Sequence, residues 1–249
     1  MPKELITTTE SVDDYLKAIF ELAGEDGRAG TNDLARRLGV SAASVTGMLQ
    51  KLANADPALV GYEKRRGAAL TESGERRALE VIRHHRLLES YLHAALGYPW
   101  DKVHQEAERL EHFISEEFEE RIAAHLGDPE FDPHGHPIPR KDGSLPRQDD
   151  IALRLAPAGS KARITRVSDE DPDLLRFLAT HGMQPAAAIE VLEHQRFEGP
   201  TMLRIPPADP FPVSQTVASR VWVEVEDDGG LQSPLSQCEE TRRGARDAN

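Results

Sequence analysis

Residues 104–112 read HQEAERLEH, and this stretch constrains the fold most, because it sets His104, Glu108, Glu111 and His112 at helical spacings i, i+4, i+7 and i+8. At 3.6 residues per turn, such side chains fall within an arc of about 100° on one helix face. Beside them Val103, Ala107, Leu110, Ile114 and Phe118 form an apolar stripe at i, i+4, i+7, i+11 and i+15. That stripe must press on a neighbour, which holds the imidazoles and carboxylates at the edge of a core. An earlier segment, EVIRHHRLLESYLHAAL, sets His85 and Glu89 at i, i+4 and supplies a second His and Glu rung. A lone ERLEH is usually a solvated acidic face, whereas two rungs on two helices converge on a cation. Nitrogen and oxygen donors without a thiolate suit a first-row divalent ion such as Mn(II) or Fe(II).

The 249 residues suffice for two or three small domains, and 39% hydrophobic with 29% charged residues is ordinary for a soluble protein. No apolar run reaches bilayer length, and MPKELITTTE lacks the regions of a signal peptide, so a cytoplasmic protein with no membrane partner is expected. The single Cys238 lies in a polar stretch, has no partner for a disulfide, and receives no role. The net charge of -13 is unevenly spread. Residues 31–80 hold eight Lys or Arg against six Asp or Glu, while residues 81–145 hold seven against thirteen. The acid gathers where a cation is expected, and the N-terminal part stays eligible for nucleic acid.

That part reads as a winged helix-turn-helix. SVDDYLKAIFELAG is amphipathic, with Val12, Tyr15, Leu16, Ile19, Phe20 and Ala23 on one side and a stop near Gly24. TNDLARRLGV follows, with Thr31 or Asn32 as helix cap and Gly39 for the tight turn, and then SAASVTGMLQKLANA, capped by Ser41. Helix, glycine turn, helix is the arrangement that places a second helix in a major groove. On that helix Ala42, Ala43, Ser44, Thr46, Gly47, Gln50 and Lys51 should face outward, and Val45, Met48, Leu49 and Leu52 inward. Ser41, Ser44, Thr46, Gln50 and Lys51 are the candidate DNA contacts. LVGYEKRRGAALT predicts a hairpin whose Lys64, Arg65 and Arg66 grip phosphates as a wing.

With TTESVDDYLKAIFEL, SVTGMLQKL, LTESGERR, HHRLLESYL and HQEAERLEH in this order, the chain resembles the diphtheria toxin repressor and manganese transport regulator family of metal-dependent transcriptional regulators. The resemblance is strongest over residues 5–140. It implies a mainly α protein with a small β part, divided into a winged helix-turn-helix (1–75), a helical dimerisation and metal-binding domain (76–143), an SH3-like, FeoA-like barrel (150–226) and a disordered tail (227–249). It also implies a homodimer that binds a palindromic double-stranded operator when loaded with Mn(II), or alternatively Fe(II), and represses metal-uptake genes. By position, the primary metal site falls on Asp14, Glu108, Glu111 and His112, and the ancillary site on His85, Glu89 and His104. Iron-sensing members carry Met and Cys where this chain has Asp14 and Glu108, so the resemblance favours Mn(II). Three residues after Asp14, where two-domain manganese regulators supply another Glu, stands Lys17, and a closely spaced two-metal cluster of their type is not expected.

GHPIPRKDGSLPRQDD reads as a linker, and ALRLAPAGSKARITRV, AAIEVLEHQRFEGPTMLRI and SRVWVEV as strands of the barrel. Between them SDEDPDLLRFLATHG predicts a short helix, whose Glu170 and Asp173 are the family positions that can reach the ancillary site. His134 and His136, in a Pro-rich loop, read as incidental rather than as ligands. His84, His93, His125, His181 and His194 lack a partnered spacing, and no function is assigned to them. Two rival classes are a carboxylate metalloenzyme, disfavoured by the absence of HExxH and of Glu-x-x-His repeats, and a winged-helix sensor of an organic ligand.

Overall fold

The computed structural model describes residues 10–24 and 26–226; the tail from 227 and Cys238 lie outside the described residues. The chain divides into two compact units, residues 1–148 with 167–180, and residues 149–166 with 181–249.

In the first unit, helix α1 (Glu10–Leu22) buries Val12, Tyr15, Leu16 and Ile19, while Ala23, expected on the same side, is exposed just past the helix end. Helices α2 (Thr31–Arg37) and α3 (Ala42–Ala53) follow. Neither Thr31 nor Asn32 caps α2; Gly30 takes the N-cap position without a side-chain bond. Gly39 adopts φ +65° in the intervening turn, and Ser41 caps α3 by accepting the Ser44 N–H at 3.1 Å. Val45, Leu49 and Leu52 point into a core shared with Leu16, Ile19 and Leu34. Truncating the fully buried Leu49 to Ala would cost about 3 kcal/mol.

Strands β1 (Val60–Glu63) and β2 (Gly67–Leu70) pair antiparallel with Val60 opposite Leu70, and Lys64, Arg65 and Arg66 form the exposed turn between them. Gly67 has φ +85°, and a Cβ there would meet the Ala29 carbonyl oxygen at 2.1 Å, so the wing needs glycine to pair Ala68 with Ala29.

Helix α4 (Glu72–Ala94), capped by Thr71, packs against α1 and against α5 (Val103–Leu110) and α6 (Glu116–Leu126). The expected single helix through HQEAERLEH is shorter than its pattern. It ends at Leu110, Phe113 N–H turns back to the Leu110 carbonyl (2.9 Å), and Ser115 caps a new helix through the Phe118 N–H. Two stop signals override the periodicity, so Phe118 leaves the apolar stripe and is exposed, as is Leu110 at the last position of α5. The segment read as a linker is packed at its start: Gly135 and Ile138 are buried. Helix α7 (Pro172–Thr180), expected between strands of the C-terminal barrel, belongs to this first unit.

The second unit is an antiparallel sheet in the order β3-β8-β4-β5-β6-β7, the SH3-like arrangement expected, formed by β3 (Ile151–Ala152), β4 (Lys161–Val167), β5 (Ala188–His194), β6 (Thr201–Arg204), β7 (Phe211–Val213) and β8 (Val221–Val225). A four-residue helix, α8 (Gln215–Ala218), precedes the last strand. Ala162, Ile164, Ile189, Val191, Leu203 and Val223 alternate inward. No helix among the described residues is long and apolar enough to cross a membrane.

Candidate metal centre and nucleic-acid interface

Two donor clusters meet around α4 and α5 in the first unit. In the first, Asp14 on α1 faces His112, with Oδ1 3.0 Å from Nε2, and Glu111 joins them within ligand range. Glu108 lines the same cavity of about 310 Å3 with Asp14, Lys17, Glu111 and His112, although its carboxylate leans 3.5 Å from His104 Nε2. Helical backbone angles at Glu111 continue the α5 spiral one residue past its end, so the helix stop does not scatter the ligands. Lys17 is also here. Its ammonium donates to both oxygens of Glu111, at 3.1 and 2.9 Å, and lies 3.1 Å from His85 Nδ1.

In the second cluster, His85 Nε2, His104 Nδ1 and Glu89 Oε1 stand 3.0–3.1 Å from one another. Adjacent ligand atoms on an octahedral ion with bonds of roughly 2.1 Å lie about 3 Å apart. Asp169 Oδ2 approaches His104 and His136 at 3.6 and 3.5 Å. His134 places Nδ1 3.8 Å from Glu89 and His136 places Nδ1 3.4 Å from Asp132. His85 joins the two clusters, because its Nδ1 makes a short contact with Glu111 while its Nε2 faces Glu89.

The carboxyl-terminal positions expected here are elsewhere. Glu170 is paired with Arg37 at 3.4 Å with a half-exposed side chain, and Asp173 is exposed beside Arg176. Asp169 takes the place instead, because the Val167 N–H bonds the His134 carbonyl at 2.9 Å and α7 starts only at Pro172, turning Glu170 and Asp173 away. His134 and His136, read as incidental, are brought to the cluster. Their loop is shaped by Asp132, whose Oδ1 accepts the N–H groups of both, at 2.8 and 3.0 Å. The available sequence signal was D-x-H-x-H, in which an Asx turn makes a Pro-rich loop rigid. Asp13, also unread from sequence, accepts from Arg77 at 2.6 Å and stands 3.7 Å from His112 Nδ1.

The electrostatics are those of crowded acids answered by imidazolium. Burial opposes charge on His104, but Glu108 and Glu89 push its pKa up to about 11. Asp13 and Asp14 raise His112 to about 10. Burial is again outweighed at His134, where Glu89 raises the pKa to about 9. In return His104 holds Glu108 down at about 2.

The residues fit a bound divalent cation. Glu89 Oε2, His112 Nδ1, Asp132 Oδ2 and His134 Nδ1 are buried and have no hydrogen-bond partner. His134 Nε2 lies 2.8 Å from the Trp100 carbonyl, which can only accept, so Nε2 donates there and Nδ1 is the nitrogen left facing Glu89. An imidazole anchored on a backbone carbonyl, with its other nitrogen left without a hydrogen-bond partner, has the usual posture of a metal ligand.

On the DNA side, Ser41, Ser44, Gln50 and Lys51 are exposed on or beside α3 and Thr46 is half-buried. Ser41 and Ser44 share a hydroxyl contact of 2.8 Å, and the Thr46 hydroxyl donates to the Ala42 carbonyl. Gln50 and Lys51 therefore present the longest free reach from this helix, and Lys64 and Arg65 from the wing.

Family models described as "Iron dependent repressor, N-terminal DNA binding domain", "Iron dependent repressor, metal binding and dimerisation domain" and "FeoA domain" match residues 7–68, 71–140 and 151–225. The iron-dependent repressor IdeR of Mycobacterium tuberculosis is 34% identical over 200 residues, covering 76% of this chain and 85% of its own length. The HTH-type transcriptional regulator MntR of Bacillus subtilis is 39% identical over 108 residues, covering 43% of this chain and 74% of its own. Among solved structures, a manganese-dependent transcriptional repressor in complex with manganese matches with TM-score 0.78 and 38% identity over 86% of this chain and all of that one. ScaR with bound Cd2+ matches with TM-score 0.74 and 32% identity over 86% of this chain and 98% of that one. The chain therefore belongs to the diphtheria toxin repressor and manganese transport regulator family, whose members are metal-dependent transcriptional repressors and not enzymes.

Proposed function

We propose that this protein is a Mn(II)-dependent repressor of metal-uptake genes, acting in the cytoplasm as a homodimer on a palindromic operator. The observation that carries the reading is the 3.0 Å approach of Asp14, on the first helix of the DNA-binding part, to His112 of the helical part. A bound divalent cation supplies a positive centre on which carboxylates and bare imidazoles from both parts converge. Asp14 then ties α1 to the segment after α5, which fixes the recognition helix relative to the dimerising part. Two recognition helices held about 34 Å apart match successive turns of a palindrome. Lys64, Arg65 and Arg66 add phosphate contacts, and Gln50 and Ser44 supply the few side chains that reach base edges.

The donor set favours Mn(II): both clusters are built from imidazole and carboxylate only, and the described residues contain no cysteine. The rival of the same class is Fe(II), favoured by the relatives named iron-dependent repressors. Anaerobic fluorescence anisotropy on the chain's own upstream DNA, titrated separately with Mn(II), Fe(II) and a chelator, tests the reading. Tight binding with Mn(II) at lower concentration than Fe(II), reversed by the chelator, is expected. Binding indifferent to metal would overturn it.

A further inference from the structure

A third donor cluster lies apart from the two described above. Glu80 and His84, at i, i+4 on α4, face Glu116 in the first turn of α6, with ligand atoms of all three within 4.8 Å of one another. Glu119, one turn further along α6, sends Oε2 to 3.2 Å from His84 Nε2. Exposed acids alone would mean little, but His84 is different. Its side chain is 9% exposed, and Nε2 is fully buried with no aligned hydrogen bond. Its other nitrogen, Nδ1, lies 3.2 Å from the main-chain oxygen of Glu111. A carbonyl only accepts, so Nδ1 carries the hydrogen and the Nε2 lone pair is aimed at three carboxylates. This is the second-sphere posture of a metal-bound histidine, with its N–H tied to a backbone carbonyl.

We propose that Glu80, His84, Glu116 and Glu119 form a third site, for a divalent cation that takes oxygen and imidazole donors. The resident cation, Arg83, answers only one oxygen of this group, which leaves room for an external cation. Arg83 donates to Glu119 Oε1 at 2.6 Å and to the Pro139 carbonyl at 2.8 Å, which leaves Glu119 Oε2 to His84. Burial and the neighbouring Glu116 raise the Glu80 pKa, as expected of two carboxylates drawn together without a cation between them. Glu80 and Glu116 are exposed, so the site opens to solvent and exchanges more freely than the buried clusters. The carbonyl that orients His84 belongs to Glu111, so the third site stands one hydrogen bond from the first.

The site is tested by counting Mn(II) bound per chain, from the electron paramagnetic resonance of free Mn(II) at saturation, with Zn(II) in a parallel arm. The full chain, the double variant Glu80→Gln/Glu116→Gln and the variant His84→Gln are compared, with Glu117→Gln as a control that removes charge elsewhere on α6. The expected result is one ion fewer per chain in both site variants, with the control equal to the parent. Equal counts in the parent and the double variant would overturn the site, as would an equal loss in the control. Loss confined to His84→Gln would assign the missing ion to the first site through Glu111 and also overturn it. A parent that binds no Mn(II) would sink this inference together with the proposed function, whereas equal non-zero counts sink this inference alone.

Discussion

The Lys17 ammonium lies 2.9 and 3.1 Å from the two carboxylate oxygens of Glu111, with both side chains buried. A cation built into the chain thus holds the carboxylate that is a candidate ligand in the first cluster. Lys17→Met should lower the stability of the metal-free protein by roughly 3 kcal/mol, the low end for an abandoned buried partner because His85 still faces Glu111. The same change removes a competing positive charge, so Mn(II) affinity should rise by about tenfold, equivalent to about 1.4 kcal/mol. Thermal melts and calorimetry read the two separately. An affinity that falls in step with the melt would reduce Lys17 to a scaffold.

Asp14 is half-exposed, so its loss costs the fold little. Asp14→Asn should change metal-free stability by less than about 1 kcal/mol. It should nevertheless abolish the Mn(II) dependence of DNA binding. Gel shifts across a Mn(II) titration check this, and a retained metal response would remove Asp14 as the tie between the two parts.

Asp132 organises the loop that carries His134 and His136. Asp132→Ala strands two backbone N–H groups and should destabilise the metal-free chain by about 2 kcal/mol. It should also eliminate one tight class of bound ion. If calorimetry shows every binding class intact, the loop histidines are not ligands.

Protonation opposes loading. His104 and His112, raised to about 11 and about 10 by their carboxylate neighbours, carry protons at neutral pH in the metal-free protein. A metal needs those lone pairs, so binding should release roughly two protons and tighten as pH rises from 6 to 9. For the metal-free fold, groups raised above an unfolded value near 6.5 contribute fully below that pH. Their contribution fades as pH climbs towards 10 and 11, so the metal-free melt should fall in that range. Calorimetry in buffers of different ionisation enthalpy counts the protons; a count of zero contradicts the assignment.

The wing should act without regard to sequence. Removing Lys64 or Arg65 should weaken binding to specific and random duplexes alike and reduce the salt slope by about one each, whereas Gln50→Ala should affect only the specific site. Salt titrations on both duplexes distinguish these.

The chain order of helices, the glycine turn at Gly39, the Ser41 cap and the wing were legible because each depends on neighbours in sequence: periodicity, a capping hydroxyl, a residue able to take positive φ. The pairing of His85 with Glu89, and of His104 with Glu108, was legible for the same reason, since i, i+4 spacing along one helix puts each pair on one face. The end of α5 at Leu110 was not, because a local turn and the Ser115 cap compete with an apolar stripe that continues on paper.

What tertiary structure alone decided was which distant groups share a cluster. Asp169 rather than Glu170 or Asp173, His134 and His136 rather than none, and Lys17 facing Glu111 across ninety-four positions depend on how α1, α4, α5 and the loop after α6 meet. Spacing along the chain specifies a face of a helix. Only packing specifies what that face looks at, and the cost of leaving a buried charge alone selects the partner that answers it.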